Sequence, residues 1–455
     1  MNVHKWTLGL AAVGLVSLPA CLLADEKITL SPIETAVSST VLSGYVDTSM
    51  HWVPGTGNGF PPAFAFNTPS KQDGFNLNAV KIALEKPLDE GQWSAGYKTE
   101  VMFGPNAALL GTLPSLSDGS GNSQLAIKQA YVNVRAPLGN GLDFKVGVFD
   151  TIIGYESTDS LNNPNYTRSY GYTIEPTTHT GVLATYNLTD MIGISGGVAN
   201  SYGPAVGGSG FNSPSQNLNT STDRAWYYKA ESYKTYMGSI ALRAPAALGF
   251  LEGSTLYAGI INGFNGTATT GSRLPQPATV PPIAKPVYGA VQTSWYVGAT
   301  LNTPVTGLKI GASFDYVNIA NQRLTQDLGF GTVGTSGYRN ATAIYASYQA
   351  TEKLSLHARG EYFSQSEVFV LNTFPFGTST TAAGLPSKVF AVTGTLQYDL
   401  WKNMLTRLEF RWDHSADGRY AYSGPIDKSS GSGQFVSDAT RRNAYLLAAN
   451  LIYKF

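Results

Sequence analysis

The chain holds a single cysteine, Cys21, among 455 residues. Disulfide frameworks, thiolate metal centres and cysteine nucleophiles are therefore excluded everywhere else. Charge is scarce too. Asp, Glu, Lys and Arg make up 13% of the chain, and 30 basic residues balance 30 acidic ones. That is about half the usual charged quarter. A chain of zero net charge offers no reason to expect nucleic acid as a partner. Histidine is limited to His4, His51, His179, His357 and His414. No G-x-S-x-G elbow accompanies them, so no hydrolase constellation is visible. The one glycine fingerprint, "GFGTVG" at 329–334, sits in a Gly-rich loop with no helix to follow and fails its context test. Asp413, Asp417 and Asp427 have a spacing that fits no known calcium loop. No enzyme activity, metal or cofactor is expected. Beyond the first residues no run approaches the roughly 18 apolar residues of a spanning helix.

Aromatics are plentiful at 12%, with 26 Tyr and 49 Gly, yet mean hydropathy is only −0.08. Neutral hydropathy with few charges suits strands that are apolar on one face only. Strand after strand shows it. In "GLDFKVGVF" (141–149), Leu142, Phe144, Val146 and Val148 alternate with Asp143, Lys145, Gly147 and Phe149. In "TRLEFRWDH" (406–414), Thr406, Leu408, Phe410 and Trp412 alternate with Arg407, Glu409, Arg411 and Asp413. Period two with one apolar face is the mark of a strand.

The start, "MNVHKWTLGLAAVGLVSLPACLLADEK", reads as a signal peptide over residues 1–24: Lys5, an apolar run from Trp6 to Ala20, then small Ala24. A rival reading takes "LPAC" as a lipoprotein box that would leave Cys21 lipidated. Residues 25–39 are expected to be a short periplasmic segment, and 40–455 a single domain.

Seven short joints carry tight-turn chemistry, at 86–93, 136–144, 187–194, 244–256, 302–310, 349–356 and 398–408. Eight long polar stretches alternate with them, roughly 51–73, 105–123, 151–177, 202–232, 265–290, 319–338, 366–386 and 415–439. Fifteen connections join sixteen strands. An exported all-β chain with short and long joints in strict alternation predicts a transmembrane antiparallel β-barrel of about 16 strands, with short periplasmic turns and long external loops. The closing "RRNAYLLAANLIYKF" sets Tyr445, Leu447, Ala449, Leu451, Tyr453 and Phe455 on one apolar face. An apolar edge strand is a hazard in water. The expectation is that this strand pairs with the first, with its aromatic face in lipid. Tyr453 and Phe455 are the expected assembly signal for the machinery that inserts such barrels.

Sixteen strands leave an aqueous channel, so passive diffusion of small solutes or ions is the expected function. Lumen candidates are Lys81, Lys98, Glu100, Arg135, Lys145, Arg243, Arg359, Glu361, Arg407, Glu409 and Arg411, with Lys309, Glu85, Asp315 and Asp413 on the same faces. Nine bases against six acids predict a mildly anion-favouring wall. The alternative is that these charges pair across the wall and keep it wet. Phe149, Tyr296 and Phe363 on the polar faces are too scattered for a sugar slide. Trp93, Trp295, Trp401, Trp412, Tyr186 and Tyr398 suit interfacial girdles.

The segment "GVFDTIIGYESTDSLNNPNYTRSYGYTIEPTTHTGVLATY" (147–186) is the most distinctive. Its Gly-x-Phe, "GYE", "NPNYTRSY" and "THTG" resemble, in order, the signature region of the OmpL-like beta-barrel porin-2 family. The strand pattern resembles that family across essentially the whole mature chain. The resemblance implies an outer-membrane porin and names no solute. By analogy with porins at large, the loop after strand five folds into the lumen. Asp150, Glu156, Asp159, Arg168, Glu175 and His179 are then constriction candidates. An acidic loop facing a basic wall would set up a transverse field. Alternatively, "GYE" and "YTRSY" merely pin the loop to the wall. The expected partners are outer-membrane lipid, the assembly machinery, solutes or ions, and further copies of the chain. Other readings left open are a substrate-specific channel and a structural or adhesive barrel with a closed lumen.

Overall fold

A computed structural model describes residues 39–54, 62, 64, 66, 71, 73–89, 93–108, 110, 124–200, 234–265, 290–322, 335–366, 386–423 and 439–455. The leader, Cys21, the 25–38 segment, "GFGTVG" and Asp427 lie outside them.

Sixteen strands close into an antiparallel barrel: β1 (Val41–Trp52), β2 (Gly74–Lys86), β3 (Ser94–Phe103), β4 (Leu125–Ala136), β5 (Leu142–Asp150), β6 (Thr178–Asn187), β7 (Ile192–Ala199), β8 (Thr235–Arg243), β9 (Thr255–Asn265), β10 (Ala290–Asn302), β11 (Leu308–Gln322), β12 (Thr335–Gln349), β13 (Leu354–Gln365), β14 (Lys388–Trp401), β15 (Met404–Ser415) and β18 (Asn443–Lys454). The short strands β16 (Tyr422–Ser423) and β17 (Ala439–Arg441) pair with each other within the last long connection. Every barrel strand pairs with its chain neighbours, and β18 pairs with β1, with Tyr45 opposite Lys454 and Trp52 opposite Leu447. Gly44 and Phe455 exchange both backbone hydrogen bonds at 3.0 Å. The seam therefore leaves no edge.

Strands and joints fall where the alternation of turn chemistry predicts. One boundary moves: β11 runs on to Gln322 and β12 starts at Thr335, inside the expected 319–338 loop. These ends still pair with each other across β11 and β12, so polarity alone misreads them as loop.

The pleat sorts the side chains. Leu408 (61% exposed), Ile344 (60%), Phe410 and Val392 form an outward apolar belt, with Trp295, Trp401, Tyr398, Tyr453 and Phe455 exposed on the same side. Arg411 (0%), Arg359 (1%) and Glu409 (3%) point inward and are buried. In a soluble protein this would be inside out. In a bilayer it places the apolar band in lipid and the polar residues inside.

Two of the barrel's register shifts bring an extra residue to the inner wall. Between β1 and β2, Asp47 pairs with Ala79 and Thr48 with Leu77, which leaves Asn78 extra. Between β3 and β4, Glu100 pairs with Gln129 and Val101 with Ile127, which leaves Lys128 extra. Asn78 and Lys128 both end up buried on the inner side, with at most 1% of either exposed. A bulge re-aims a side chain in this way.

A candidate constriction at the inner wall

The third long connection, 151–177, lies inside the barrel. It contains a single 3-10 turn (Ser160–Asn162) and one short helix, here α1 (Tyr170–Ile174), whose first turn is capped by Ser169 Oγ accepting from the Tyr172 amide at 3.1 Å. Most of the loop is irregular. Its amides and carbonyls have no ladder and must find partners elsewhere.

The wall supplies them. Arg407 donates to the Ser160 carbonyl at 2.9 Å and to that of Asn163 at 2.6 Å. Arg359 donates to the Thr167 carbonyl at 2.8 Å, and Arg411 to that of Arg168 at 2.7 Å. Glu409 accepts the amides of Tyr166 at 2.6 Å and Thr167 at 2.9 Å. Arg168, on the loop itself, holds the carbonyls of Ser157, Thr158 and Tyr166, each at 2.9 Å. A buried backbone group left without a partner costs about 1–3 kcal/mol, so this ring of guanidiniums and one carboxylate fixes the loop path.

Ion pairs and rings add to it. Glu156 accepts from Arg359 at 2.8 Å, from the Tyr345 hydroxyl at 3.1 Å and from the Ser169 amide at 2.8 Å. Asp159 accepts from Lys81 at 2.9 Å and from Tyr45 at 3.1 Å, with Lys128 at 3.5 Å. Burial alone would raise the Asp159 carboxyl, but Lys128 and Lys81 outweigh it and hold it below its usual range. Tyr170 donates to Asp413 at 2.8 Å and stacks on Phe363. Tyr155 stacks on Tyr345 with ring centroids 4.1 Å apart. Ile152 and Ile153 pack among Tyr131, Phe149, Leu183, Met237, Tyr257, Ile261 and Tyr296, and Tyr257 donates to the Ile152 carbonyl. Phe149, Tyr296 and Phe363 thus bear on the loop. From the first long connection, Phe64 lies under the Arg411 guanidinium at 4.5 Å and Phe66 under that of Arg168 at 5.2 Å.

The remaining candidates are spread around the wall. Asp150 closes β5 and meets Lys128 at 2.7 Å. Glu175 follows α1 and His179 lies on β6, its Nε2 3.2 Å from Thr151 Oγ1. Burial, and Asp315 beside it, push the Glu175 carboxyl well above its usual range. Glu100 gathers Lys81 (3.2 Å), Lys98 (3.3 Å) and Lys128 (3.1 Å), and Lys98 also reaches Glu85 at 3.2 Å. Glu361 pairs with Arg359 and lies 3.5 Å from Arg411, which also binds Asp413 at 2.9 Å. Towards the short turns, Arg135 pairs with Asp143 at 2.6 Å, Lys145 sits over the Tyr131 ring at 5.0 Å, and half-buried Arg243 ends β8. Glu156 and Asp159 therefore meet wall bases in direct contact, not across an open gap.

Period two misses Lys128, because the bulge puts it against the parity of its strand. It also misses Asn78, which donates to Asp47 at 2.8 Å. Asp47 itself lies on the Tyr45–Ser49–His51 face, where the same two-residue rhythm would have found it.

A closed sixteen-strand barrel with an irregular loop held inside by wall charges defines a porin. Over residues 39–455 the sequence matches the family described as "Putative beta-barrel porin-2, OmpL-like", and the chain belongs to that family. It is an outer-membrane porin, a channel for passive diffusion. Among solved structures, OprB of Pseudomonas putida shares the fold with a TM-score of 0.54 at 10% identity, over 93% of this chain and 96% of that one. The outer-membrane channel DcaP of Acinetobacter baumannii gives 0.52 at 13%, over 91% and 97%. The anion-selective porin of Comamonas acidovorans gives 0.50 at 10%, over 92% and 99%. A comparison with curated protein sequences gives no match.

Proposed function

We propose that the 151–177 loop sets the width and chemistry of the channel, and that small hydrophilic solutes or ions pass beside it. One observation carries this reading: the loop is fastened to Tyr45, Lys81, Tyr257, Tyr345, Arg359, Arg407, Glu409 and Arg411, which project from six strands around the lumen. Asp150, Glu156, Asp159, Arg168, Glu175 and His179 act first as anchors. Ion preference then comes from what is left over. With so many wall bases in contact with acids or carbonyls, the expected anion preference is slight.

No catalysis is proposed. Ser49 Oγ lies 3.2 Å from His51 Nε2, but that nitrogen also meets the Tyr166 hydroxyl at 2.6 Å. Asp47 is engaged by Asn78 and by Asn450 at 2.6 Å, which leaves it bonded to amides and not to the imidazole. Contact of the outer belt with lipid, recognition of Tyr453 and Phe455 during assembly, and association of copies along the outer wall belong to the same proposal.

The test is single-channel conductance of refolded protein in a planar bilayer, with reversal potential under a salt gradient. Steady steps that grow when residues 157–168 are replaced by a short Gly-Ser link support a loop-set constriction. Unchanged steps in that variant would sink it.

A further inference from the structure

Glu175 and Asp315 meet where the loop touches β11. Asp315 projects inward from β11 and is 2% exposed. The two buried carboxyl groups lie within reach of each other, Glu175 Oε2 beside Gly154 and Asp315 Oδ2 beside Gly171. Two carboxylates cannot share a hydrogen bond without a proton, because an ionised carboxyl only accepts. Asp315 Oδ1 has no hydrogen-bond partner.

Glycine makes room for the pair. A Cβ on Gly154 would collide with Glu175 Oε2, and a Cβ on Gly171 would collide with Asp315 Oδ2. Gly154 belongs to the ingoing arm of the loop and Gly171 to the returning helix α1. Both arms and the wall therefore converge on these two carboxyls.

The surrounding titratable groups offer no compensating charge. On the ingoing arm are Glu156 and Tyr155. On β10 is Tyr296, and on β12 is Tyr345, bonded to Glu156. Arg359 is committed to Glu156 and Glu361. Among the described residues no ion pair reaches either carboxyl of the pair.

We propose that Glu175 and Asp315 bind one shared proton, and that this proton latches the 151–177 loop to β11. Its loss leaves two like charges in contact, which drives α1 and the base of the loop off the wall. The sign follows from the Glu175 carboxyl, held above its ordinary value by burial and by Asp315. The latch is complete below the ordinary carboxyl range and is lost as pH rises through the folded value, which lies well above that range.

The latch would alter conductance only if the loop sets the constriction, so two readouts independent of that reading come first. The probes are infrared absorption of protonated carboxyl groups and hydrogen exchange of 151–177, from pH 5 to pH 10, in wild type, Glu175→Gln and Asp315→Asn. The expected result is a protonated-carboxyl band in wild type at neutral pH that both variants lose. Exchange of the loop should quicken at alkaline pH in wild type and stay flat in Glu175→Gln, which mimics the protonated state. If Glu175→Gln lacks the heat-modifiable mobility of a folded barrel, Asp315→Asn carries the comparison. Absence of the band in wild type at neutral pH overturns the proposal. So does loop exchange that follows sodium or calcium concentration instead of pH, since a bound cation would then fill the site. A latch that responds by infrared and exchange without any change in conductance upholds the proton site and rejects the constriction reading.

Discussion

Replacing Arg359 by methionine keeps most of the side-chain volume and removes the charge. Arg359 is 1% exposed and serves Glu156, Glu361, the Thr167 and Arg168 carbonyls, and two threonine hydroxyls. Its loss strands two buried carboxylates. Glu361 keeps a 3.5 Å contact to Arg411, while Glu156 keeps only neutral donors. Breaking a buried pair from one side costs about 3–5 kcal/mol. At 1.4 kcal/mol per decade that moves the balance between attached and detached loop by roughly 10² to 10³·⁵. The expected outcome is a folded, heat-modifiable barrel whose loop is cut by protease between about 156 and 168, and whose single-channel current is larger and noisier. Arg135→Ala is the control. Its pair with Asp143 is about one-third exposed and lies near a short turn, so about 0–1 kcal/mol is at stake and the current should not change. If Arg359→Met matches wild type in protease pattern and in current, the loop is not held by this guanidinium and the reasoning fails.

Three further outcomes are expected. Deleting Phe455 removes both backbone bonds to Gly44 and should lower the amount of heat-modifiable protein in the membrane, read by gel mobility of membrane fractions. Leu408→Arg puts a charge on the lipid face of β15 and should cost about 2–4 kcal/mol, read as a lower urea midpoint in refolding with lipid. Asp159 has a depressed carboxyl, so its contribution is present above its unfolded value and is lost as pH falls through the folded one. Loop exchange near Asp159 should therefore quicken in acid, and Asp159→Asn should show that quickened exchange already at neutral pH.

The barrel was legible because its physics repeats. Strands such as 406–414 write the inner and outer faces in a two-residue rhythm, and the turn chemistry between strands fixes their number. The loop interior was legible only as a set of charges. That Glu156 would find Arg359, some 200 positions away, depends on the loop's path, and no local pattern records it. Lys128 and Asn78 were hidden for a different reason. A bulge spends one residue without advancing the pairing, so parity counted back from the C-terminal end of the strand points the extra residue into lipid. The meaning of Gly154 and Gly171 appears only when two carboxyls from distant positions come to rest against them.

The wall arginines hold the loop mostly by its main-chain carbonyls. Every residue has such a carbonyl, so Arg407 would grip an alanine at position 160 or 163 as well as the serine and asparagine now there. Anchoring and selectivity are thereby written in different parts of the chain. The side chains that solutes meet can drift, or be redesigned, while the same few guanidiniums keep the gate in place. Related channels could thus diverge in what they admit without having to solve the folding of the loop again.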